Sequence, residues 1–147
     1  MSIDTAYSPR SLTTSQYVRE LFEPTDNAAI LVRNRLTGHT VQRIAKAQTI
    51  ASPGFQTWLA TQNARGSDVF MGMNPINDDA YSHTKENIKD IRHVYLDLDR
   101  KGDESLEAIR NSTEVPAPNF VLDTSPGKHQ VVWKVRGFSQ DPLCQHL

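Results

Sequence analysis

The chain has 147 residues, which is enough for one well-buried domain, and its length alone gives no reason to expect a second. Its composition, 37% hydrophobic and 22% charged, is that of a soluble globular protein. The sequence has no apolar run near the ~18 residues of a membrane span, and its N-terminus does not resemble a secretory signal. We therefore expect a cytoplasmic location. A net charge of −1 does not indicate nucleic-acid binding by overall charge, and the single cysteine, Cys144, excludes an internal disulfide and any multi-cysteine zinc site.

The amino-terminal part of the chain predicts a leader and a short helix. Residues 1–14 are polar and aperiodic, so we expect a mobile leader followed by a single domain over residues 15–147. Ser15 is placed to cap the helix, and Pro24 ends its apolar periodicity. We expect the apolar face of this helix to pack against a sheet.

A hairpin and a second helix follow. Residues 28–36 are rich in Ile, Leu and Val and end at a Thr-Gly turn, which predicts a strand paired with another strand over residues 41–44. Ser52 precedes a proline at a helix start, and Gly66 ends the helical spacing. Residues 68–73 then predict a further apolar strand.

The second half of the chain combines strands with one helix. A polar loop over residues 76–90 precedes a strand over residues 91–98, and Asp103 begins a short helix. Two more strands are predicted over residues 120–122 and 131–135. This order of elements predicts an α+β fold in which helices cover a sheet.

Two acidic side chains lie at the end of the strand over residues 91–98. Alternate residues of a strand share a face, so Asp97 and Asp99 point one way, while the apolar residues beside them point into a core. Their Cα atoms would lie about 6.6 to 6.8 Å apart, and carboxylates at that spacing can converge on Mg²⁺ or Mn²⁺. The plainer interpretation is that the two aspartates merely end a strand and that Arg100 and Lys101 neutralise their negative charges. Close carboxylates repel each other unless a cation joins them, so we favour a metal site.

A second polar segment lies between the last two predicted strands. Ser125, a proline and a glycine form a turn that presents a hydroxyl and backbone N–H groups, and Lys128 and His129 follow directly. These groups suit an anionic triphosphate. An ordinary hairpin turn with an incidental histidine explains the same residues equally well.

Together the two segments resemble the archaeo-eukaryotic primase superfamily, specifically the RepB-like replication primases of plasmids and phages. In that family an apolar strand ends in Asp-x-Asp, as residues 95–99 do. A later Ser-x-Gly-x-His or Ser-Pro-Gly-Lys-aromatic turn precedes an apolar strand containing Trp, as residues 125–133 do. Residues 69–75 are similar to the strand before the family's polar loop, and the resemblance covers roughly residues 28–136.

This resemblance implies an RRM-like antiparallel sheet with flanking helices, as in a primase-type catalytic core. It implies a DNA primase, a nucleotidyltransferase that uses divalent metals to join nucleotides on a DNA template during replication. Asp97 and Asp99 would be catalytic ligands of Mg²⁺ or Mn²⁺, and Ser125, Lys128 and His129 would bind the nucleotide, with His129 also a catalytic residue. The implied partners are template DNA, nucleoside triphosphates and a helicase or relaxase module, with no membrane.

The family's third acid lies beyond a helix that follows the Trp-containing strand, whereas residues 141–147 resemble the first turn of an unfinished helix. We therefore expect the primase core to be incomplete at its C-terminus. Whether this chain is catalytically active is left open by the sequence. One alternative is an inactive primase fragment that binds nucleotide or DNA. Another is an Asp-x-Asp phosphatase with Asp97 as nucleophile. That class usually has Thr or Val soon after the first acid, whereas Arg100, a lysine and a glycine follow here, and it is expected to have parallel strands separated by helices.

Overall fold

A computed structural model describes residues 2–5, 11–80 and 84–138. Apart from a single 3₁₀ turn at Lys85–Asn87, its elements in chain order are β1 (Ser2–Thr5), α1 (Thr14–Leu21), β2 (Asn27–Asn34), β3 (Thr40–Lys46), α2 (Ala47–Ile50), α3 (Pro53–Ala64), β4 (Ser67–Met71), β5 (Ile91–Leu98), α4 (Gly102–Asn111), β6 (Phe120–Ser125) and β7 (Lys128–Phe138). Among these helices, none is long and apolar enough to cross a membrane. The helix predicted over residues 141–147 lies outside the described residues.

Contacts divide the chain into two compact units. Among the described residues, the first unit comprises residues 2–5, 11–13 and 93–135, and the second comprises residues 14–80, 84–92 and 136–138. Strand β1 falls within the predicted leader, and the sequence did not indicate it. The boundary between a leader and a single domain stays a prediction.

The first unit is built on a sheet with the strand order β1-β6-β7-β5. Strand β6 pairs antiparallel with β1 and with β7, so that Val121 lies opposite Val131 and Asp123 lies opposite His129. The predicted strand pair around the Ser-Pro-Gly turn is therefore an antiparallel hairpin. Parallel strands, which the phosphatase alternative requires, are not formed by this pair.

Helix α4 covers one face of this sheet. Leu106 of the helix is buried with Leu98, Val121 and Val131 of three strands, and Ile109 and Trp133 pack against this cluster. Acidic residues in the first turn of α4 and a basic residue in its last turn complement the helix dipole. The helix thus joins β5, β6 and β7 through one apolar core.

One part of the predicted strand pattern is wrong. Alternation placed Leu96 in the core together with Leu98, yet Leu96 is 49% exposed and Leu98 is 7% exposed. The physical reason is the extent of the core cluster, which includes Leu98 but does not extend along β5 to Leu96.

The second unit contains a three-stranded sheet with the order β3-β2-β4. Both pairings of β2 are antiparallel, which confirms the predicted β2–β3 hairpin. Gly38 ends the turn with a φ of 73°, a left-handed conformation that glycine adopts without steric cost. Ser52 caps α3 by accepting a hydrogen bond from the Phe55 amide, as the sequence predicts. Helix α2 was not predicted. The α+β class with antiparallel sheets is confirmed.

Candidate active site

The two predicted acids lie at the end of β5. Asp97 is within the strand, and Asp99 follows its last residue, Leu98. Both aspartates are exposed, whereas Leu98 between them is buried in the cluster under α4. The alternation expected from the sequence therefore holds at this end of the strand, and both carboxylates are open to solvent.

A glutamine that the sequence did not single out contacts the first acid. The side chain of Gln130, on β7, donates a hydrogen bond from Nε2 to Oδ1 of Asp97 at 2.9 Å. Strand β7 is the neighbour of β5 in the sheet. The hydrogen bond orients the Asp97 carboxylate and leaves its other oxygen and further lone pairs available to a cation.

The β6–β7 turn, residues 125–128, is exposed throughout. Gly127 has a φ of 72°, and the pairing of β6 with β7 shifts register between Asp123 and Ser125. The Thr124 hydroxyl donates a hydrogen bond to the Lys128 carbonyl at 3.3 Å, which closes the turn. The Ser125 hydroxyl and the Lys128 ammonium group are thereby displayed at one end of the hairpin.

The segment that follows the acids packs directly against this turn. A Cβ atom on Gly102 would lie 2.1 Å from the carbonyl oxygen of Gly127 and 3.3 Å from Cδ2 of His129. Only a residue without a side chain permits this approach. Lys101 before it has a φ of 48°, a left-handed conformation that turns the chain sharply from β5 into α4. The structure thus brings the two predicted motifs together.

His129 is held between two carboxylates. Its Nδ1 atom lies 2.6 Å from Oδ1 of Asp123, and its Nε2 atom lies 2.6 Å from Oδ1 of Asp103 in the first turn of α4. The hydrogen bond with Asp103 is the largest cause of a raised pKa at His129; burial acts in the opposite direction, and Asp123 adds to the increase. Since ionised carboxylates only accept hydrogen bonds, both ring nitrogens donate in the imidazolium form.

This placement differs from what the sequence led us to expect of His129. Successive side chains of a strand leave opposite faces, so His129 points towards α4 while Gln130 points towards Asp97. Both ring nitrogens of His129 are already engaged by carboxylates. The structure therefore brings Gln130, and not His129, to Asp97. A direct contact of His129 with a nucleotide stays a prediction that these contacts do not favour.

The donor set can be compared with the needs of a divalent cation. In the described part of the chain, no group of three or more His, Cys, Asp or Glu side chains is arranged to hold a metal ion. Mg²⁺ is commonly bound by one or two carboxylates, with water and substrate phosphates completing the shell. Asp97 and Asp99 suit an open site of that kind. Two carboxylates are too few for a site in which the protein alone supplies every ligand.

A family model for the RepB DNA-primase N-terminal domain matches residues 36–145. The chain belongs to this family. The resemblance inferred from the Asp-x-Asp strand and the Ser-Pro-Gly turn is thereby confirmed. A comparison with curated proteins gave no match.

Two solved structures are similar in fold. A crystal structure of primase RepB' matches with a TM-score of 0.56 and 23% identity, over 83% of this chain and 37% of that one. A crystal structure of the catalytic domain of primase RepB' in complex with initiator DNA matches with a TM-score of 0.55 and 23% identity, over 82% of this chain and 56% of that one. The chain therefore spans between about one third and just over half of the structures that it matches.

Proposed function

We propose that this chain is the nucleotide-transfer part of a replication DNA primase, binding a nucleoside triphosphate with divalent metal beside a DNA template. The observation that carries the proposal is the meeting of the acidic end of β5 with the β6–β7 turn, through the close approach of Gly102 to Gly127 and the bond from Gln130 to Asp97. Membership of the RepB DNA-primase N-terminal domain family supports it.

The residues divide between two tasks under this proposal. Asp97 and Asp99 hold Mg²⁺ or Mn²⁺, and the bound ion supplies positive charge where phosphate oxygens gather. The Ser125 hydroxyl, the amides of the β6–β7 turn and the Lys128 ammonium group bind the triphosphate of the incoming nucleotide. Gln130 keeps the Asp97 carboxylate in place. The protein then acts by positioning and by compensating charge, without a protein nucleophile.

A DNA template is the partner that the fold comparison favours, since a similar catalytic domain was crystallised with initiator DNA. The net charge of −1 means that the contacts with DNA must come from local basic groups. Association with a helicase or relaxase module stays a prediction.

Metal-dependent nucleotide binding tests the proposal most directly. We expect Mn²⁺ to tighten binding of a nucleoside triphosphate to the wild-type chain, and Asp97→Ala or Asp99→Ala to weaken that binding at least about tenfold, because removing a charged ligand costs more than about 1.4 kcal/mol. Isothermal titration calorimetry with and without Mn²⁺ measures this. Asp79→Ala, which removes an exposed carboxylate in the second unit, is the matched control. Binding that is unchanged in both site variants would reject the metal site.

Activity separates the remaining alternatives. Template-dependent primer synthesis by the chain would support a complete active site and reject an inactive fragment. An aspartyl-phosphate trapped on Asp97 would instead support the phosphatase alternative, which the antiparallel β6–β7 pair disfavours.

A further inference from the structure

Three side chains connect α4 to the β6–β7 hairpin on the face of the sheet opposite to Gln130. Asp123 of β6 and Asp103 of α4 each lie 2.6 Å from one nitrogen of His129 on β7. We call Asp103, His129 and Asp123 the clamp. His129 is 9% exposed, so its ring is shielded from solvent, while the Asp103 side chain is 80% exposed at the outer edge.

The clamp lies beside a close approach of two backbone segments. Gly102, the residue before Asp103, approaches Gly127 so closely that no Cβ atom could be accommodated. The β6–β7 turn is exposed, and the pairing of β6 with β7 shifts register just before it, between Asp123 and Ser125. Helix α4, by contrast, is anchored by Leu106 in the apolar cluster. The clamp therefore connects an anchored element to an exposed one.

We propose that His129 is a positioning residue, which through Asp103 and Asp123 holds the β6–β7 turn at the distance from Asp97 and Asp99 that a metal-bound triphosphate requires. This inference rests on the proposed function and assigns His129 an indirect role. It also gives Asp103 a role. The sequence connects it to no motif, because it lies 26 positions before His129 in the chain.

The geometry explains why a histidine suits this position. An imidazolium ring is rigid and donates in two directions, so it bridges carboxylates on two different elements. A lysine would carry the charge without the fixed geometry, and a glutamine would carry neither the charge nor two opposed donors. Charge-assisted hydrogen bonds of this type are shorter and stronger than neutral ones.

The experiment compares two variants that open the clamp with two matched controls. Asp103→Asn keeps the shape of an exposed side chain but weakens its acceptor, and Gly102→Ala forces the β6–β7 turn away from α4. Glu104→Gln makes the same chemical change on the next residue of α4. Gly54→Ala adds a Cβ atom in α3, where nothing lies within 4 Å.

Two affinities are measured on the full chain: that of Mn²⁺ alone, by electron paramagnetic resonance, and that of a nucleoside triphosphate with Mn²⁺, by calorimetry. We expect both clamp variants to weaken nucleotide binding by about tenfold or more, because misplacement of a binding group by about 1 Å has effects of this size. Binding of Mn²⁺ alone should change by less than about twofold, since Asp97 and Asp99 are untouched. Both controls should match the wild type.

The split between the two affinities separates positioning from a general loss of structure. A variant that merely unfolds loses both affinities, and Asp103→Asn provides the answer if Gly102→Ala does not fold. If folded Asp103→Asn binds the nucleotide as tightly as the wild type does, the positioning role of the clamp is overturned, while the proposed function stays intact. Wild-type chain that binds Mn²⁺ but shows no metal-dependent nucleotide binding would overturn the proposed function together with the role of the clamp in it.

Discussion

His129 and Gln130 are neighbours in the chain, but their side chains serve opposite faces of β7. Gln130 reaches Asp97, and His129 reaches Asp103 and Asp123. Histidine attracts attention in a sequence because its pKa lies near neutrality, whereas glutamine does not. At this position, strand alternation decides which side chain contacts Asp97, and residue chemistry alone does not.

The raised pKa of His129 makes its contribution to stability dependent on pH. A raised folded-state pKa means that protonation stabilises the fold; this stabilisation is fully present below the ordinary value of about 6.5 and is lost as pH rises through the raised value. We therefore expect His129→Gln to lower the free energy of unfolding more at about pH 6 than at about pH 9. Urea unfolding followed by circular dichroism measures the difference.

The control for this prediction is His39→Gln, which changes an exposed histidine in the β2–β3 turn. Its effect should stay within about 0.5 kcal/mol at both values of pH. The imidazole resonances of His129 provide a direct check. Their titration midpoint should fall in Asp103→Asn, since the largest cause of the raised pKa is removed. A loss in His129→Gln that is the same at both pH values would contradict a protonated clamp.

At the scale of elements, α4 determines how β5, β6 and β7 are held. Leu98 stands between the two acids and contributes to the cluster under this helix. The same alternation that exposes Asp97 and Asp99 therefore anchors the strand that carries them. Packing and site geometry are linked at this one residue.

We expect Leu98→Ala to destabilise the chain by about 2–5 kcal/mol, because truncating a buried leucine loses its transfer free energy and leaves a cavity. Leu36→Ala, at a position that is 96% exposed, should change stability by less than about 0.5 kcal/mol. Equilibrium unfolding in urea checks both variants. Similar losses in the two would mean that Leu98 is not part of a packed core.

At the scale of the whole molecule, the chain consists of two units, each with its own sheet and buried residues. The acids, the β6–β7 turn and the clamp all belong to the first unit. Buried residues of the second unit include Ile30, Ile50 and Ile76, which are each no more than 1% exposed. We therefore expect a substitution in the core of one unit to lower the local stability of that unit more than that of the other.

We expect Ile30→Ala to lower hydrogen-exchange protection in β2, β3 and β4 more than in β6 and β7, because Ile30 is buried in the central strand of the second sheet. Hydrogen exchange followed by mass spectrometry measures each strand separately. Leu98→Ala should give the opposite pattern. An equal loss of protection in both units after either change would show that the chain opens as one cooperative unit.

The sequence by itself determined the local features of this protein. Period-two alternation placed Leu98 inside with Asp97 and Asp99 outside, turn chemistry predicted the β2–β3 hairpin, and Ser52 marked the start of α3. The Asp-x-Asp strand and the Ser-Pro-Gly turn indicated the family that the comparison confirms. These features depend on residues close together in the chain, so their signals can be read in order.

Only the tertiary structure decided how those features meet. The pairing of β1 with β6, the bond from Gln130 to Asp97 and the clamp through Asp103 all join residues that are far apart in sequence. Strand order and the approach of a helix to a sheet follow from the packing of whole faces, which no short pattern encodes. For this reason the motifs were visible in the sequence, whereas the partners of His129 became visible only in the fold.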